Sequence, residues 1–133
     1  MYAHDVSAGT KHERARTIVE ELWRTRTGVL STQVLQEFSV NLRRKAGRPL
    51  DARTTGEIVA DYLKWHVVVN DGESILEALD LEARYRISFW DALVIRAAQV
   101  SGAGVLYSED LSHGQSYGTV RVVNPLRAQA SEA

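Results

Sequence analysis

Acidic residues stand at three places where an element begins or ends. Ser88-Phe89-Trp90-Asp91-Ala92 reads as a helix start, with Ser88 as cap and Asp91 in the first turn. Val105-Leu106-Tyr107-Ser108-Glu109-Asp110-Leu111 reads as a buried strand running out into an acidic turn. Glu37 lies in the second turn of a helix that follows a short strand at 28–31. In an open parallel sheet, sites gather beyond the carboxyl ends of the strands, and the returning helices start at that same edge. Glu37, Asp91 and Asp110 are therefore expected to converge. Carboxylates held together raise one another's pKa unless a divalent cation neutralises them. Hard oxygen donors suit Mg2+ or Mn2+, which polarises a phosphate oxygen and acidifies a bound water. The chemistry implied is metal-dependent phosphodiester hydrolysis.

Each residue also has a plainer reading. Asp91 suits a helix dipole or a capping box, Glu37 a solvated helix face, and Asp110 a turn. Ser108 is either a strand-end hydroxyl or a support for Asp110. Arg43, Arg44, Lys45 and Arg48 form the densest basic cluster, two helical turns from Glu37. They either contact a phosphate backbone or cap the negative end of their own helix. Trp23, Trp65 and Trp90 have apolar neighbours that favour core packing over base stacking. The four histidines show no metal-ligand spacing. No Gly-rich phosphate loop precedes a helix, and nucleophilic serine catalysis lacks its turn.

The elements that must position these acids follow from periodicity. Thr10-Lys11-His12-Glu13 has the capping-box form, and Ala15, Ile18, Val19, Leu22 and Trp23 continue it as a helix to about Thr25. A helix capped by Ser31 or Thr32 carries Val34, Leu35, Phe38 and Leu42, and is stopped by Gly47 and Pro49. Asp51 or Thr55 caps a third, with Ile58, Val59, Tyr62 and Leu63 as its core stripe. His66 to Val69 reads as a strand. Asp71 caps a helix whose inward stripe is Ile75, Leu76, Leu79 and Ala83, and the Ser88 helix turns Trp90, Leu93, Val94, Ala97 and Ala98 inward before Gly102 closes it. Strands at 105–108 and 120–123 finish the pattern, the last ended by Asn124-Pro125. Strands separated by helices imply an α/β fold with a parallel sheet covered on both faces. One domain over 1–127 and a loose tail at 128–133 are expected.

The 133 residues carry a net charge of −1, so no global positive field draws nucleic acid. Absent cysteine removes disulfides, thiolate nucleophiles and sulfur-ligated zinc, and suits a reducing cytoplasm. No apolar run spans a bilayer, and Met1-Tyr2-Ala3-His4-Asp5 is not a signal peptide.

Gln33-Val34-Leu35-Gln36-Glu37-Phe38, Ser88-Phe89-Trp90-Asp91-Ala92 and Tyr107-Ser108-Glu109-Asp110-Leu111, in that order, resemble VapC-type toxins of the PIN-domain nuclease family. The resemblance implies a three-layer α/β/α fold and a cytoplasmic toxin ribonuclease that uses Mg2+ or Mn2+. It also implies a homodimer, neutralised by a cognate antitoxin protein. Glu37, Asp91 and Asp110 match its acidic metal positions, with Ser108 as a supporting hydroxyl. Family members open with an apolar strand and an Asp-x-Asn segment before a Tyr-Ala pair. Here Tyr2-Ala3 follows Met1 directly, so the central first strand and its acid have no counterpart, and Asp5 falls on the wrong side to replace them. Three accounts fit: a start placed too far downstream, a truncated product, or a remnant that binds an antitoxin without cutting.

Overall fold

A computed structural model describes residues 10–45 and 47–125, in which helices alternate with short strands in the α/β manner. The chain divides into two compact units, the first ending at Val67 and the second starting at Val68.

The first unit holds α1 (Thr10–Thr25), β1 (Val29–Ser31), α2 (Thr32–Arg44) and α3 (Ala52–Tyr62). Strand β2 (His66–Val68), whose last residue opens the second unit, pairs with β1. Local chemistry sets the helix ends. Ser31 Oγ accepts from the Val34 N–H at 3.2 Å, and Asp51 accepts from the Thr54 N–H at 2.7 Å. Of the alternative caps, Ser31 and Asp51 are therefore the ones used. Thr10 begins α1 as expected, but its capping side chain lies outside the described part.

Leu35, Phe38, Leu42 and Tyr62 form this unit's buried core, with Trp23, Trp65, Ile58 and Val67 packed around them. Tyr62 is its hub. Its ring meets Phe38 edge-on at 5.5 Å, Trp65 at 5.3 Å and Trp23 at 5.3 Å. Burial pushes its phenol pKa up.

Gly28 admits this aromatic packing because a Cβ there would collide with the Trp65 ring. The Gly28→Ala variant is accordingly expected to lose about 1–3 kcal/mol, the usual cost of overpacking, as a lowered urea midpoint. An unchanged midpoint would mean that Trp65 moves aside freely.

The second unit contains α4 (Gly72–Tyr85), α5 (Phe89–Ser101), β3 (Val105–Tyr107), β4 (Ser116–Tyr117) and β5 (Val120–Val123). β5 lies between its neighbours, parallel to β3 and antiparallel to β4. Val105 pairs with Arg121 and Tyr107 with Val123. The Arg121 N–H donates to Gly104 O at 2.9 Å, and the Ser108 N–H to Val123 O at 3.1 Å. Gly104 and Ser108 thus face β5. By the alternation of a strand, the backbone groups of Val105 and Tyr107 turn to the opposite edge, where no strand among the described residues pairs with them.

Helix α4 starts with a reciprocal cap. Asp71 Oδ1 accepts from the Ser74 N–H and hydroxyl, both at 3.0 Å, while Ser74 Oγ accepts from the Asp71 N–H at 2.9 Å. Those bonds, the backbone one foremost, hold the Asp71 carboxyl below the usual carboxylate range. A depressed folded pKa contributes stability that is present above the unfolded value and is lost as pH falls through the folded one. Urea midpoints measured between about pH 5 and pH 2 are expected to fall less steeply in Asp71→Asn, which keeps a capping oxygen but cannot titrate. Identical slopes would remove Asp71 from the acid response.

Two expected core faces differ from the fold. Ile75, Leu76 and Leu79 are 49%, 62% and 47% exposed, and Ala83 is exposed too. α4 is apolar on two sides, and the buried one carries Ser74, Ala78 and Leu81. Ala78 and Ala92 are fully buried in one cluster, and such small side chains allow α4 and α5 to approach closely. Ser74, held in its cap, is fully buried as well. Trp90 is likewise not inward but 62% exposed, because α5 buries Ala92, Leu93, Ile95, Ala97 and Ala98 instead. Leu63 lies past the end of α3 and is exposed. Strand β2 stops at Val68, leaving Val69 exposed, and strand β4 carries no periodic signal long enough to foresee. The tail at 128–133 and Asp5 lie outside the described residues.

Candidate active site

Asp91 owes its position to the start of α5. Ser88 Oγ accepts the Asp91 N–H at 3.0 Å, so the backbone, not the carboxylate, completes the cap. The half-buried carboxylate makes no hydrogen bond or ion pair with any described residue. Its charge is felt at Tyr117. Burial foremost, then the Asp91 charge and Tyr85, pushes the Tyr117 phenol pKa up. Tyr85 and Tyr117 meet edge-on at 4.8 Å. These two tyrosines were not foreseen: Tyr117 lies in the unforeseen β4, and its 5% exposure reflects tertiary packing.

Asp110 sits on a loop pinned at several points. Ser108 Oγ accepts the N–H groups of Asp110 at 3.2 Å and Leu111 at 3.4 Å. Leu111 is buried in the core beside Ala92 and Leu93. Further along, His113 Nδ1 accepts the Asn124 N–H at 3.0 Å, which ties the loop to the end of β5. Gly114, at φ +84°, donates to Val122 O at 2.8 Å. Ser108 thus orders the backbone that carries Asp110 and leaves the carboxylate exposed. His113 is a structural acceptor.

Asp91 opens α5, Gly102 in a left-handed turn leads into β3, and Asp110 follows β3. In a helix–strand unit wound this way, both acids belong to the edge where the strand ends. Glu37 stands in the first unit, exposed on α2, and accepts a hydrogen bond from Gln33 Nε2 at 3.0 Å. Arg43, Arg44 and Arg48 are exposed and Lys45 half-buried, all in the first unit.

Carboxylates without partners are suitable donors for a hard divalent cation. Among the described residues, however, no three His, Asp or Glu side chains come close enough together to hold one. None of the described helices is long and apolar enough to cross a membrane.

A search of curated proteins returned no match. The family model described as PIN domain matches residues 3–114, which takes in nearly all of the first unit and the second as far as Gly114, with the Ser88 and Ser108 segments. The chain therefore belongs to the PIN-domain family.

Proposed function

We propose that this protein is the toxin ribonuclease of a type II toxin-antitoxin system, acting in the cytoplasm. PIN domains are typically metal-dependent nucleases, so the nuclease class follows from the family. The observation that carries the finer reading is the pair of partnerless carboxylates, Asp91 in the first turn of α5 and Asp110 on the loop ordered by Ser108.

In this reading Asp91, Asp110 and Glu37 are the acids that hold Mg2+ or Mn2+. When bound, such an ion supplies a water acidic enough to attack a phosphodiester. The chain's own part is to fix the carboxylates. Ser88 does this for Asp91 through the helix start, and Ser108 for Asp110 through two backbone bonds. Lys45 and Arg48 are candidates for phosphate contact, together with Arg43 and Arg44.

The donor set is incomplete among the described residues, and β3 has an edge to which no described strand pairs. Both observations support the view that a further strand, carrying a further acid, belongs to the active form. The test is manganese-dependent cleavage of a mixed RNA pool by the 133-residue chain and by a form extended upstream. Cleavage that chelation abolishes, strongest in the extended form, is the expected result.

A second reading is a noncutting module that binds an antitoxin. An open groove in the first unit, lined by Ser39, Arg43, Gly56, Val59, Ala60 and Leu63, favours it by offering an apolar floor to a partner helix. Two folded forms that never cut RNA would leave this reading in place of the nuclease.

A further inference from the structure

Among the described residues every aromatic side chain is buried or half-buried except two, Trp90 and Tyr107, which are 62% and 46% exposed. Each stands beside one of the carboxylates assigned above. Trp90 directly precedes Asp91 in the first turn of α5, and Tyr107 directly precedes Ser108, whose hydroxyl accepts the Asp110 N–H. Leaving an indole or phenol ring in water forgoes the stabilisation that its burial would bring. Here the rings next to both acids do so, while those elsewhere are covered.

Both rings are anchored on ordered parts of the second unit. Phe89 packs on its core, and the Trp90 ring meets Phe89 edge-on at 5.3 Å. On β3, Leu106 packs on the same core, which α5 helps to build, so by the alternation of a strand Tyr107 projects from the opposite face of the sheet. Tyr107 is held in register with Val123 of β5. One ring thus belongs to the α5 side of the sheet and the other to the far side, with the end of β3 between them.

We infer that Trp90 and Tyr107 are stacking platforms for two bases of the RNA strand, one on each side of the phosphate held at Asp91 and Asp110. A strand whose phosphate sits at those acids carries its flanking bases past both rings. Stacking asks only for a π-face, so the platforms position the strand without reading its sequence. They take no part in the bond cleavage itself. The inference rests on the ribonuclease reading and adds to it the residues that hold the strand in place.

The test is a binding titration on the full chain carrying Asp91→Asn, with manganese present, so that cleavage does not consume the ligand. The probes are a single-stranded RNA hexamer and the matching oligomer of abasic ribose phosphates. The hexamer is expected to quench the emission of the exposed Trp90, and Trp90→Ala to abolish that quenching although Trp23 and Trp65 remain. Added to the same chain, Trp90→Ala and Tyr107→Ala should each weaken hexamer binding by about fivefold to 150-fold and leave the abasic oligomer unaffected. Trp90→Phe and Tyr107→Phe, which keep a ring, should restore most of the affinity. Both side chains are exposed, so circular dichroism and the urea midpoint should match the reference chain. Hexamer binding unchanged in either alanine variant overturns the inference. So do equal losses for the hexamer and the abasic oligomer, since charge or folding would then be the cause. If the unchanged chain still cuts RNA in that case, the nuclease reading stands without the platforms, whereas a chain that neither binds nor cuts RNA removes both.

Discussion

Asparagine at position 91 is expected to lower metal-dependent RNA cleavage by about 100-fold or more, the scale of losing several kcal/mol of charge stabilisation in the transition state. The fold should scarcely notice. Ser88 holds the Asp91 N–H rather than its side chain, and asparagine keeps that N–H. Only the interaction of the carboxylate with the helix start is lost, about 0.3–1 kcal/mol. The two readings of Asp91 therefore separate cleanly when turnover and urea denaturation are measured on one preparation. A ligand loses activity at nearly constant stability, whereas a purely electrostatic cap loses a little stability and no activity. The comparison belongs on whichever form cuts RNA most strongly.

The largest expected loss of stability is at Ile95. It is fully buried in α5 and belongs to the cluster of Ala78, Leu81, Leu93, Leu111 and Val122. Ile95→Ala removes buried methyl and methylene groups and leaves a cavity that its rigid neighbours fill poorly. The cost should be about 3–4 kcal/mol, against a total of about 5–15 kcal/mol for a typical domain. Urea denaturation followed by circular dichroism is expected to show a much lower midpoint with little change in slope. A loss below about 1 kcal/mol would mean that this core collapses around the gap.

Much of this architecture is legible along the chain because its signals are local. Ser31, Asp51, Asp71 and Ser88 all cap the helices that follow them, and Gly102 adopts the left-handed turn that closes α5. Which face of a helix turns inward is less legible. In α4 the larger residues Ile75, Leu76 and Leu79 dominate any reading of periodicity, yet close packing selects Ser74, Ala78 and Leu81. That choice depends on α5 and cannot be read within α4 alone. Trp90 misleads for the same reason, since its apolar neighbours are buried while it is not.

The candidate site divides along the same line. The local devices at Asp91 and Asp110 follow from Ser88 and Ser108, each bonded to backbone only two or three residues away. Tyr117 reaches the surroundings of Asp91 from β4, whose two residues leave no pattern to detect. Glu37 lies in the other unit, and no local signal along the chain links it to the other two acids.

The open edge of β3 bears on how this protein behaves in quantity. Val105 and Tyr107 are each 46% exposed, and their backbone groups face an edge with which no strand among the described residues pairs. β-Branched and aromatic residues on a bare edge form a template for the same edge of another molecule, and no proline or lysine within β3 blunts it. Concentrated solutions of the 133-residue chain are thus prone to strand-by-strand aggregation, and a charged residue placed in β3 is the natural remedy for poor solubility.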